Sequence, residues 1–214
     1  KLARQALAAN KDVFVEKPMT LTSAEAEDLV RLARERERIL MVGHLLMYQS
    51  AVQWIKEQLG RGLIGQVVGL HQERLNLGRA RSVENALWSL GVHDVAVLLY
   101  LVGRVPQRVR AFGQSVLQPT IEDDVYVTLE FPDNIVAHLH CSWLWPEKRR
   151  RLTIIGTTGM LVYDELQQTV TLHRKQISPE LEIRDEGSEV VFVGDGQPLT
   201  VECQHFLDVL RTRS

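Results

Sequence analysis

The sequence predicts two structural regimes in one chain: an α/β segment, then a larger α+β segment built mainly from antiparallel strands around one helix. Near the N-terminus, uninterrupted apolar strands alternate with amphipathic helices, the pattern of a parallel sheet covered on both faces. From residue 107 to residue 193, short strands follow one another across turn signals, as in an antiparallel sheet. A chain of 214 residues with 45% hydrophobic and 24% charged residues can bury a real core, which excludes disordered, collagen-like and disulfide-scaffold classes.

Residues 1–9 are rich in helix formers, with Leu2, Ala6 and Leu7 on one face and Asn10-Lys11 as a turn. Val13-Phe14-Val15 is a short strand. Residues 22–37 form a helix with Thr22 or Ser23 as N-cap and Ala26, Leu29, Val30 and Ala33 facing inward. Residues 39–42 are a second strand, and residues 48–59 a helix burying Val52, Ile55 and Leu59. Strands at 66–75 and 107–116 bracket a helix at 88–102. Further strands are expected at 125–131, 135–143, 151–155, 160–163, 170–173 and 189–193, separated by turns such as Pro132-Asp133-Asn134 and Gly156-Thr157-Thr158-Gly159. A helix at 198–213 starts with Pro198. The change of regime falls near residues 60–66, and there is no internal repeat.

The balance of 25 Lys and Arg against 27 Asp and Glu gives a net charge of -2, so no global field recruits nucleic acid or anionic membrane. Cys141 and Cys203 are the only cysteines and make no CxxC pair, which reads as a reduced, cytoplasmic setting. No apolar run reaches the ~18–20 residues of a membrane span, and the N-terminus has no signal-peptide core. His138 and His140 share a strand face, but no third ligand lies near them in sequence, and no metal site is expected. Lys148-Arg149-Arg150-Arg151 reads as a solvated strand entrance, and Trp143 and Trp145 as two residues on one strand face.

Two glycine loops imitate phosphate loops. Gly194-Asp195-Gly196 follows a strand, but position 199 is Leu and Pro198 sits where the loop should close. The Gly156–Gly159 turn leads into a strand and offers no helix N-terminus to an anion. No nucleotide-phosphate loop is expected within these 214 residues.

Glu16-Lys17-Pro18 lies at the carboxyl end of the first apolar strand, the edge of an open α/β sheet where ligands sit. A lysine there can donate to a substrate hydroxyl and lower its pKa, and Pro18 restricts the backbone of Lys17 to an extended form. Taken alone, the tripeptide fits a solvated lysine equally well. With these residues in this order, the sequence resembles the Gfo/Idh/MocA family of nicotinamide-dependent sugar and polyol dehydrogenases over nearly its whole length. Glu16-Lys17-Pro18 is similar to the family's cofactor- and substrate-contacting motif, residues 39–44 to the next strand, and Gly91-Val92-His93-Asp94 to the segment bearing the catalytic histidine. Residues 75–79, 85–90 and 142–148 are most similar to the branch that oxidises UDP-activated N-acetyl amino sugars.

The resemblance implies a Rossmann-type domain whose C-terminal part spans residues 1–62, and an α+β substrate-binding and oligomerisation domain over residues 63–214, cut short at its end. It implies NAD or NADP as cofactor, contacted by Glu16, Lys17, Pro18, His44 and Tyr48. It implies a sugar or nucleotide-sugar substrate, whose anionic part Asn76, Arg79, Arg81 and Asn85 could hold, an exposed basic loop being the alternative. His93 is then the general base and Lys17 the group that stabilises the alkoxide. A homo-oligomer, dimer or tetramer, would form through the antiparallel sheet. Ser89 stands where the family has Asp, one helical turn before His93; it keeps a hydroxyl, loses the charge and suits an N-cap. Asp94 points elsewhere and does not replace it. The Lys1 start and the end after a helix suggest a piece of a longer protein, which by itself should bind NAD poorly. A free polyol, sugar or cyclic diol as substrate, and a non-catalytic oligomerising or binding module, are the competing expectations.

Overall fold

A computed structural model describes residues 1–178, 180–194 and 196–213. In chain order the elements are α1 (Leu2–Ala8), β1 (Val13–Glu16), α2 (Ser23–Glu35), β2 (Leu40–Gly43), a 3-10 turn (Leu45–Tyr48), α3 (Ser50–Gly60) and β3 (Val67–Leu77). A π turn (Leu87–Gly91) leads into α4 (Val92–Val102), followed by β4 (Arg108–Gln114), β5 (Asp124–Glu130) and β6 (Val136–Ser142). Then come β7 (Leu144–Gly156), β8 (Met160–Asp164), β9 (Thr169–Ile177), β10 (Ile183–Val193) and α5 (Pro198–Thr212).

The chain divides into two compact units, Lys1–Tyr48 with Gln197–Ser214, and Gln49–Gly196. This packing differs from the expected division at residue 62. Helix α3 buries Ala51, Val52 and Ile55 and belongs to the second unit, whereas α5 returns to the first. The reason for that return is visible in its contacts: Phe206 packs on Phe14 with ring centroids 5.3 Å apart, and Arg213 bonds Asp12 at 2.8 Å.

In the first unit, β1 and β2 pair in parallel with Glu16 opposite Gly43. Leu7, Val13, Leu29 and Ala33 form its buried core. Thr22 is the N-cap of α2, its Oγ1 accepting from the Glu25 backbone N–H at 3.3 Å. Val30, expected inside, is 37% exposed. It sits at the rim of the apolar stripe, which Leu29 and Ala33 occupy.

The second unit is an eight-stranded sheet in the order β10-β9-β8-β7-β3-β6-β5-β4, antiparallel except where β3 runs parallel to β6. One face, carrying Leu70, Leu139, Val127 and Ile154, is buried, and α4 packs on β3 and β6. The Gly156–Gly159 turn is a hairpin as expected, closed by a Gly156 N–H to Gly159 bond of 2.9 Å. Gly156 is required there, because a Cβ would lie 2.1 Å from the Ile64 carbonyl oxygen. Of the other glycine loop, Asp195 lies outside the described residues.

Three expectations change. The basic run 148–151 lies inside β7, which begins at Leu144, because acidic partners neutralise it: Arg149 meets Glu147 and Glu73, and Arg150 meets Glu165. Likewise β10 begins at Ile183, with Asp185 and Glu189 paired to Lys175 and Arg174 of β9. Trp143 and Trp145 do not share a strand, for Trp143 sits at the break between β6 and β7, buried, with Nε1 donating to Asp123 Oδ1 at 2.5 Å.

Asp123 also accepts the backbone N–H groups of Val116 and Leu117 at 2.7 and 2.8 Å. Burial alone would raise its pKa, but these donors outweigh that and hold it below the ordinary value of 3.8. Asp123→Ala is expected to lower unfolding free energy at pH 7 by about 3 kcal/mol, since three donors lose their acceptor. The carboxylate's contribution is complete above the unfolded pKa and is lost as pH falls through the lowered folded value. The gap between wild type and variant in urea unfolding should therefore narrow below about pH 4. A gap that stays constant into strong acid contradicts this account.

Candidate active site

Each unit carries part of the predicted set. In the first, the parallel register of β1 and β2 ends both strands at the same edge, with Glu16 and Lys17 on one strand and His44 just past Gly43 on the other. Glu16 is exposed, Lys17 and Pro18 are half-buried, and the Lys17–Pro18 peptide is cis. Burial lowers the pKa of His44, the Lys17 charge adds to this and Glu16 opposes it, so the imidazole is held toward its neutral form. Its Nδ1 is buried without a hydrogen-bond partner among the described residues. A neutral imidazole with an unmet nitrogen beside an ammonium fits a polar ligand arriving at this strand edge, as a nicotinamide nucleotide would. Tyr48 closes the 3-10 turn, its hydroxyl 2.7 Å from His205 Nδ1 of α5.

In the second unit, Asn76 lies at the end of β3 and its Oδ1 is another buried atom without a partner among the described residues. Arg79 and Arg81 are exposed on the connection that follows. Arg81 approaches Glu84 at 3.7 Å, and its carbonyl receives the Gln118 side-chain amide. Asn85 is committed to structure: its Oδ1 accepts the Trp88 backbone N–H at 3.0 Å and its Nδ2 donates to Glu122 at 2.8 Å. This makes Asn85 the cap of the helical segment. Ser89 is not a cap, since its own N–H bonds the Asn85 carbonyl at 3.0 Å and it lies within the π turn. A π turn widens the helix by one residue per hydrogen-bonded ring, a distortion frequent at functional sites. Gly91 admits it, because a Cβ there would lie 2.6 Å from Cys141 Sγ and 2.8 Å from Leu87 Cδ1.

His93 sits half-buried in the first turn of α4, and the next residue anchors it. Asp94, 1% exposed, receives Arg74 of β3 through two bonds of 2.6 and 2.9 Å. Arg74, 4% exposed, also reaches Glu165 at 2.6 Å, and Arg150 bonds the same carboxylate at 3.0 Å. Burial works against the charged guanidinium, but Asp94 and Glu165 outweigh it and raise the pKa of Arg74. Burial also pushes Asp94 up while Arg74 pulls it back. Sequence reasoning missed this network. Its signal was Asp94, the lone charge in the apolar run Val92–Val102.

Outside these clusters, His138 bonds Thr128, and His140 bonds Asp124 at 3.0 Å while stacking on Tyr126 at 3.9 Å. No helix among the described residues is long and apolar enough to cross a membrane.

Residues 1–44 match the oxidoreductase family with an NAD-binding Rossmann fold, and residues 52–162 match the GFO/IDH/MocA C-terminal domain. The chain is thus of the NAD-binding, Rossmann-type oxidoreductase class. Within that class it belongs to the Gfo/Idh/MocA family. It is 28% identical over 211 residues to UDP-N-acetylglucosamine 3-dehydrogenase of Acidithiobacillus ferrooxidans, covering 98% of this chain and 66% of that protein. The solved structure of that enzyme superposes with a TM-score of 0.84 at 27% identity, covering 100% of this chain and 66% of the other. It is 27% identical over 175 residues to 2,7-anhydro-N-acetylneuraminate hydratase of Escherichia coli, covering 74% of this chain and 46% of that protein. A third relative is trans-1,2-dihydrobenzene-1,2-diol dehydrogenase of Oryctolagus cuniculus, 28% identical over 218 residues, covering 96% of this chain and 64% of the other. The chain thus spans between about half and two thirds of the length of these relatives.

Arg74→Met leaves Asp94 buried without its counter-charge and is expected to cost about 3–5 kcal/mol in unfolding free energy. Urea unfolding checks this; a loss under 1 kcal/mol would show that α4 is seated by apolar packing alone.

Proposed function

We propose that the chain is the substrate-handling part of an NAD(P)-dependent dehydrogenase that oxidises a secondary alcohol of a nucleotide-linked N-acetyl amino sugar. The observation that carries this reading is the acid-lysine strand end beside a neutral His44, in a chain similar along 98% of its length to a UDP-N-acetylglucosamine 3-dehydrogenase. On this reading Glu16, Lys17, Pro18, His44 and Tyr48 contact the cofactor; the Gly-rich pyrophosphate turn is not among these 214 residues. A bound nicotinamide supplies the hydride acceptor. His93 takes the proton of the sugar hydroxyl, and Asp94, locked by Arg74, keeps the first turn of α4 from rotating under it. The Lys17 ammonium is assigned to stabilising the alkoxide charge as it develops. Asn76 and Arg79 are assigned to the substrate, Asn76 through its unmet Oδ1 and Arg79 as a fork for diphosphate oxygens. Arg81 lies on the same connection and Ser89 in the π turn that follows it, and Asn85 supports both as a cap.

His93→Ala in the full chain with its cofactor domain should reduce hydride transfer, followed as NADH absorbance, by about 10²–10⁴-fold. Undiminished transfer overturns the base assignment. Calorimetric binding of UDP-N-acetylglucosamine in preference to myo-inositol supports the nucleotide-sugar reading. Preference for an unphosphorylated diol instead supports the second reading, which the similarity to the diol dehydrogenase favours.

The reading includes a homo-oligomer built on the sheet face opposite α4. That face exposes Phe112 and Tyr126, paired across β4 and β5 and 71% and 50% exposed. Exposed aromatic side chains set side by side on an open sheet suit burial against a second copy. Phe112→Asp is expected to shift the chain to monomer in sedimentation velocity, with its circular dichroism unchanged; an unaltered sedimentation coefficient counts against this interface.

A further inference from the structure

Three side chains of α5 at helical spacing, Glu202, His205 and Phe206, reach the strands of the first unit. Phe206 packs on Phe14 of β1, and His205 bonds the Tyr48 hydroxyl. Glu202, one turn earlier, is 1% exposed, and its Oε1 has no hydrogen-bond partner among the described residues. A helix whose only task was to pack would place an apolar residue there, because a buried carboxyl without full hydrogen bonding opposes folding. Two groups of the site act on Glu202. Beyond burial, which raises its pKa first, the Glu16 charge raises it further, and the His44 main-chain N–H works in the opposite direction. Glu202 acts in turn on Tyr48, whose phenol is raised by burial and then by the Glu202 charge.

We propose that Glu202 is a positioning residue of the Lys17 strand end: from α5 its buried carboxyl holds the His44 main-chain N–H, fixing where β2 gives way to the turn that carries His44 and Tyr48. In calling that edge a site, the inference rests on the function proposed above. Glu202 touches no reacting group. It acts through His44, whose imidazole shares the edge with Lys17, and through Tyr48, which His205 holds from the same helix. The charged and titratable groups concerned are Glu16 and Lys17 at the end of β1, His44 after β2, Tyr48 on the 3-10 turn and His205 on α5 itself.

The test is amide hydrogen exchange and tyrosine titration by NMR in the full chain, with Glu202→Ala and Glu202→Gln. Glutamine keeps an acceptor oxygen and removes the charge. In Glu202→Ala the His44 amide is expected to exchange at least about tenfold faster, with the Leu29 amide unchanged as control. In Glu202→Gln exchange should stay within about threefold of wild type, while the Tyr48 pKa falls. Unchanged His44 exchange in the alanine variant, or a glutamine variant as fast as alanine, overturns the proposal. Where the alanine variant does not fold, the glutamine variant decides: a fallen Tyr48 pKa supports the proposal, and an unmoved one overturns it. If the chain together with its cofactor domain transfers no hydride yet shows these exchange changes, the dehydrogenase reading is refuted and the role of Glu202 stands.

Discussion

Helix α4 is apolar along almost all of its length, and apolar contact is indifferent to small rotations and slides of a helix on a sheet. The bidentate bond from Arg74 to Asp94 removes that freedom, because a guanidinium fork meets a carboxylate in one plane and one direction. Glu165, in the turn after β8, and Arg150, on β7, extend the constraint to two further elements. Four charged side chains thus tie the middle of the sheet to the first turn of the helix. The setting of His93 and of the π turn before it follows from them.

The first unit solves a different problem. Two short parallel strands make a small sheet, and its useful edge is the one where both strands end. An edge of this kind holds its shape only if the chain leaving each strand is held, since loops leaving a strand have no ladder of their own. On one side the chain passes from Lys17 into Pro18; on the other, α5 braces the segment departing β2 at His44 and Tyr48, and it packs on Phe14 of β1. The brace comes from a helix about 150 residues away in sequence, so long-range contact shapes a motif that looks local.

That separation explains what could and could not be read from the sequence. Val13–Val15, the helix capped by Thr22 and the Pro132–Asn134 turn were legible because period, cap and turn chemistry act within a few residues. The Glu16-Lys17-Pro18 strand end and His93 were legible as candidates through their order along the chain. The early starts of β7 and β10 were not, because a basic run reads as solvated until its partners Glu73 and Glu165 are known to lie across the sheet. Asn85 read as a ligand contact for a similar reason: its amide is used by Trp88 and Glu122, and Glu122 lies 37 residues on. The π turn left no local mark except Gly91, whose necessity comes from Cys141 on β6.

The return of α5 to the first unit also has a bearing on biosynthesis. Residues 1–48 leave the ribosome before the second unit, but the helix that covers Phe14 and braces His44 is translated only after the whole of that unit. At ordinary elongation rates of about 5–20 residues per second, the strand edge stays uncovered for roughly 10–30 seconds in every nascent chain. The second unit can close its eight-stranded sheet during that interval, whereas the first cannot mature until synthesis has passed residue 206. A ribosome stalled before α5 would therefore display a folded sheet domain and an unfinished strand edge, with Phe14 open to chaperones.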